Sequence, residues 1–78
     1  MPKLVFLGRL ADIAGGDERT VAAGSLADIL CTLPAELAVA LTAEKVRRAL
    51  NGELISNDSV PLLSEGDELA FLPPVSGG

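Results

Sequence analysis

Two apolar runs lie near the ends of the chain, "KLVFLGR" (Lys3 to Arg9) and "ELAFLP" (Glu68 to Pro73), and neither alternates with polar positions. Such runs are the pattern of strands covered on both faces. After the first run, "AGGDE" (Ala14 to Glu18) is turn chemistry, and "RTVAA" fits a short return strand through β-branched Thr20 and Val21. A helix follows. Ser25 can cap its start with Asp28 three residues on, and Leu26, Ile29, Leu30 and Leu33 form one apolar stripe. Pro34 disfavours helix beyond Leu33. From Pro34 to Arg48 the pattern fits either a second helix or a strand. Asn51-Gly52 is a two-residue hairpin signal that supports strands near Val46 to Leu50 and Glu53 to Ser56. Gly66 permits a tight turn into the last strand.

This order predicts an α+β fold, a mixed sheet packed on one main helix with the two end strands side by side at its centre. One helix covers one face. The other, with residues from "LVFL" and "LAFL", is then left partly exposed, which suggests a protein partner.

At 78 residues the chain is expected to be a single domain, 1–78, with an extended C-terminal tail at 73–78. Hydrophobic content of 49% suffices for a core. Two Phe, no Tyr, no Trp and a net charge of -5 argue against nucleic acid. The acidity either favours a basic protein surface or only aids solubility, two readings of equal weight. One cysteine excludes an intramolecular disulfide, and the N-terminal apolar run is too short for a signal or a membrane span. A soluble, cytoplasmic protein is expected.

Catalytic chemistry is sparse. The chain has no His, so His-based triads and His-containing zinc sites are excluded. Cys31 falls mid-helix without a base and is expected to be a buried thiol. Asp17, Glu18, Glu65, Asp67 and Glu68 read as turn and rim acids, and "GRLADIAGG" is no phosphate-binding fingerprint. We therefore expect no enzyme by itself, no metal and no bound cofactor.

What remains is "FLPPVSGG", Phe71 to Gly78. The α-carboxylate of Gly78 becomes reactive once activated, for example as an acyl-adenylate. Gly77 and Gly78 have no Cβ and pass a narrow channel. Pro73 and Pro74 fix φ and favour an extended exit, and Val75 can serve as an apolar anchor. Fully stretched, Pro73 to Gly78 reaches roughly 20 Å.

"GDELAFLPPVSGG" (Gly66 to Gly78), "LVFLGRLADIAG" and "LNGELI" resemble the small subunits of molybdopterin synthase, a family of ubiquitin-like sulfur carriers. The resemblance spans the chain, although Pro34 to Arg48 carries no matching motif. It implies a ubiquitin-like β-grasp fold with a strand near Val46. It also implies that an ATP-dependent activating enzyme adenylates Gly78 and that a sulfurtransferase converts it to a thiocarboxylate. The tail, positioned by Pro73, Pro74, Val75, Ser76 and Gly77, would then enter the large catalytic subunit of a heterotetramer. There it would give sulfur to a cyclic pyranopterin precursor in molybdenum cofactor biosynthesis. Phe71, Glu65 and Asp67 are the candidate docking residues, the acids steering toward a basic rim. Three alternatives stay open: a carrier for thiamine or cysteine synthesis, a ubiquitin-like protein modifier, and an interaction domain with an inert tail.

Overall fold

The computed structural model describes residues 1–74, built into a five-stranded mixed sheet with three short helices. The chain runs through β1 (Lys3–Phe6), α1 (Arg9–Ala14) and β2 (Glu18–Thr20), then β3 (Gly24–Ser25), α2 (Leu26–Cys31) and α3 (Ala35–Leu41). The hairpin β4 (Arg47–Leu50) and β5 (Glu53–Ile55) follows, then β6 (Leu62–Leu63) and β7 (Glu68–Leu72). The main sheet has the order β2-β1-β7-β4-β5, with β1 and β7 parallel and every other neighbour antiparallel. First and last strands thus lie side by side at the centre, the arrangement of a ubiquitin-like β-grasp fold and the fold class expected above. A two-stranded piece, β3 with β6, was not foreseen.

Register explains the core. Leu4 pairs with Leu69 and Phe6 with Phe71, so all four side chains fall on one face, and none is more than 2% exposed. The two phenyl rings stack with centroids 6.1 Å apart. Leu10 of α1, Leu26 and Ile29 of α2, and Leu37 and Leu41 of α3 close over them. The covering layer is therefore three short helices where the pattern pointed to one main helix. Ser25 caps α2 as expected, its Oγ accepting from the Asp28 amide at 3.2 Å. The helix ends at Cys31, and after Pro34 the chain starts α3. Cys31 is exposed, on the side of α2 away from the stripe, which corrects the expected buried thiol.

Hairpin and turn chemistry read true. Asn51 and Gly52 both take positive φ, 52° and 85°, as a type I′ turn needs, and Gly66 has φ 85°. The segment left ambiguous divides into α3 and β4. Arg48 of β4 faces the inner side and is 8% exposed. Its Nη1 donates to the carbonyls of Asn57 and Ser59, both at 3.3 Å, and burial lowers its pKa. That guanidinium pins the loop after β5 to the sheet.

The outer face is left partly open, as expected, and what differs is the reading of the two end strands as covered on both faces. Strands β1 and β7 alternate between buried and half-buried positions and are not covered twice. Val5, Ala70 and Ala49 pair across the centre of this face, flanked by Leu72 and by Leu54, which is 69% exposed. No helix among the described residues packs there to hide them. Among the described residues, no helix is long and apolar enough to cross a membrane.

Phe71→Ala removes half of the stacked pair and leaves a cavity, so it is expected to cost about 3–5 kcal/mol in urea unfolding. A loss below about 1 kcal/mol would contradict this placement of the ring.

Candidate functional site

The central strand β7 leads directly into the diproline. The pairing of β1 with β7 extends one step beyond the strands, the Leu7 amide donating to the Phe71 carbonyl at 3.1 Å. Gly8 then turns the chain into α1 with φ 56° and ψ -137°, a conformation that side-chain-bearing residues avoid. A Cβ at Gly8 would lie 2.9 Å from Cγ of Pro73. Gly8 is thus glycine for two reasons, and both fix where the tail begins. Sequence reading passed over it because the contact joins residues far apart in the chain.

Pro73 and Pro74 are half-buried and separate two grooves. One, of about 510 Å³, opens on the outer face between Leu54, Leu72 and the prolines, with Glu44, Lys45 and Arg47 along its edge. The other, of about 310 Å³, lies on the helical side over Leu10, Ile13 and Val46, beside Arg9 and Lys45. Val75, Ser76, Gly77 and Gly78, the remaining tail positions singled out by sequence, lie outside the described residues. Among the described residues, no three His, Cys, Asp or Glu side chains gather as a metal site.

The three docking candidates do not come together. Phe71 is 0% exposed and belongs to the core, because its register with Phe6 turns it to the helical side. The apolar outer face is built by its neighbours Ala70 and Leu72 instead. Glu65 is exposed and pairs with the N-terminal ammonium of Met1. Asp67 is structural. Its Oδ2 accepts from the Ser64 amide at 2.8 Å and its Oδ1 from Asn51 Nδ2 at 3.1 Å, while Asn51 Oδ1 accepts from the Glu68 amide at 2.9 Å. These bonds knot the β6–β7 turn to the β4–β5 hairpin. They sit at the start of β7, roughly 20 Å of strand from Pro73. The Ser64 amide first, and the Asn51 side chain second, hold the Asp67 carboxyl below the ordinary aspartate value.

A β-grasp body whose central strand ends in a tail rooted by prolines defines a class, the small ubiquitin-like proteins. The chain belongs to the ThiS family, which matches residues 4–78. It is 35% identical to the molybdopterin synthase sulfur carrier subunit of Escherichia coli (strain K12), over 100% of both chains. It is 32% identical to the molybdopterin synthase sulfur carrier subunit of Chlamydomonas reinhardtii, over 97% of this chain and 96% of that one. Among solved structures it is similar to a complex of subunits 1 and 2 of molybdopterin-converting factor from Helicobacter pylori 26695. The TM-score is 0.68 at 26% identity, covering 99% of this chain and 97% of that one. Small archaeal modifier protein 1 from Methanosarcina acetivorans gives a TM-score of 0.77 at 24% identity, covering 99% and 95%, a likeness of fold.

Two outcomes follow from this geometry. Gly8→Ala combines backbone strain with the Pro73 clash and is expected to lose more stability in urea, about 1–3 kcal/mol, than Gly15→Ala, where strain acts alone. Equal losses would remove Pro73 from the argument. The lowered Asp67 carboxyl stabilises the fold above the ordinary aspartate pKa, and that contribution fades as pH falls through its lower folded value. The stability gap between wild type and Asp67→Asn should therefore narrow below about pH 4, read from urea midpoints at several pH values.

Proposed function

We propose that this chain is the sulfur carrier subunit of a molybdopterin synthase, with the α-carboxylate of Gly78 as its working group. The observation that carries the reading is the root of the tail. The central strand, paired on both edges, runs straight into Pro73 and Pro74, and Gly8 leaves room for Pro73. Full-length similarity to two sulfur carrier subunits supports it.

The chemistry requires little of the chain's own side chains. In the activating enzyme, a carboxylate oxygen of Gly78 attacks the α-phosphorus of ATP and pyrophosphate leaves, giving an acyl-adenylate. A sulfide-level nucleophile from a sulfurtransferase adds to that carbonyl and expels AMP. One oxygen has then been replaced by sulfur, with no change in the oxidation state of the carbon. The thiocarboxylate enters the large catalytic subunit and passes its sulfur to the cyclic pyranopterin precursor, and an oxygen from water restores the carboxylate. Gly77 and Gly78 supply clearance, Val75 and Ser76 position the tail, and acid–base groups belong to the partner. The fold contributes address. The apolar outer face around Leu54 and Leu72 docks the body, so the sulfur is delivered only where the body binds. The complex of two molybdopterin-converting factor subunits in the Helicobacter pylori relative supports such a partner here.

The test is molybdopterin formation from precursor with coexpressed large subunit, activating enzyme and sulfurtransferase. Deleting Gly77-Gly78, or adding one residue that is not trimmed after Gly78, is expected to abolish product while leaving the urea midpoint unchanged. Product formation by the lengthened chain would overturn the reading.

A further inference from the structure

Three of the six lysines and arginines gather where the tail leaves the body. Lys45 and Arg47 edge the groove on the outer face, and Arg9 and Lys45 edge the one on the helical side. All three are exposed, and neither ion pair found among the described residues involves them. The other cations are placed elsewhere: Lys3 pairs with Glu18 at 3.4 Å, Arg48 is buried, and Arg19 lies on the edge strand β2. Only one acid, Glu44, shares the outer groove. The knot of acids around Asp67 stands at the opposite end of β7.

Net charge and local charge give opposite expectations for the partner. A net charge of -5 points to a basic partner surface. Screening decides between them. At physiological ionic strength the Debye length is about 8 Å, so acids roughly 20 Å away contribute little at the tail root. What a receiving surface meets there is Arg9, Lys45 and Arg47, with Glu44 as the acid beside them, around an apolar floor.

Resting on the carrier reading above, we propose that the mouth of the receiving channel is acidic, with carboxylates that meet Lys45 and Arg47 on the sheet side and Arg9 on the helical side. Burial of Leu54 and the prolines supplies non-directional attraction. The cations on two sides of the tail fix the rotation of the body about the tail axis and speed productive encounter. Solubility alone gives no reason for half of the cations to line the two grooves beside one fixed segment.

The experiment measures association of the full chain with the large synthase subunit from the same genome, by stopped flow at low and physiological salt. Lys45→Glu and Arg47→Glu are each expected to slow association about three- to tenfold and to flatten its salt dependence. Glu65→Lys should stay within about twofold of wild type, because its charge is screened from the mouth. Lys45→Ala and Arg47→Ala, with smaller effects of the same sign, guard against misfolding of the reversals. Restoration of the rate by reversing a carboxylate at the partner's mouth would place the contact. Reversal variants that associate as fast as wild type, or faster, overturn the acidic mouth and leave the carrier reading standing. Wild-type chain that neither binds the subunit nor supports product overturns both. Saturable binding of tripolyphosphate to the isolated chain, lost in the same variants while complex formation is unaffected, would give these three cations to a phosphate ligand and likewise overturn the proposal.

Discussion

The parallel register of β1 and β7, with Leu4 on Leu69 and Phe6 on Phe71, is the constraint on which the rest depends. It joins the two ends of the described chain at the centre of the sheet and turns four large side chains toward the helices. Each such burial is worth about 1.5–3 kcal/mol. Four together match the order of the whole net stability of a small domain, about 5–15 kcal/mol. The same pairing holds the last described residues in place. A tail that continues an edge strand would move with fraying. One that continues the central strand leaves from a strand held by hydrogen bonds on both edges, and Gly8, one residue beyond Leu7, sets the space into which Pro73 packs.

Much of this was legible in the chain. The apolar end segments, the Asn51-Gly52 turn, the Ser25 cap and the Gly66 turn all carry local chemistry that acts over a few residues, and each was found where the sequence placed it. The missed features depend on distance. Helix α1 is six residues long, too short for a periodic pattern to declare itself, and it is held by Leu10 against the core. The two-residue strands β3 and β6 exist only because they meet each other. Phe71 and its neighbours are all apolar, so the alternation between core and open face is invisible until register is known. Cys31 was misplaced for a similar reason: it adjoins the apolar stripe in sequence but turns to solvent.

The candidate site divides along the same line. The tail was read from the order of its prolines and glycines after an apolar strand and from the family resemblance, and of it Pro73 and Pro74 lie among the described residues. The surface around it was not. Acids that looked available for steering are used to tie turns together, and cations spread over Arg9, Lys45 and Arg47 converge only in three dimensions. Such an arrangement fits a protein that acts through its terminus. The body holds the tail root still and offers an apolar face beside it, and its charge is patterned at the exit rather than in sum.

Intact-mass spectrometry of the chain after incubation with its activating enzyme, ATP and a sulfur donor bears most directly on the claim that the terminal carboxylate is the working group. The account predicts a mass change equal to one oxygen replaced by one sulfur, localised by fragmentation to Gly78. A chain left unchanged, or one that gains a whole sulfur atom as a persulfide on exposed Cys31, would contradict it.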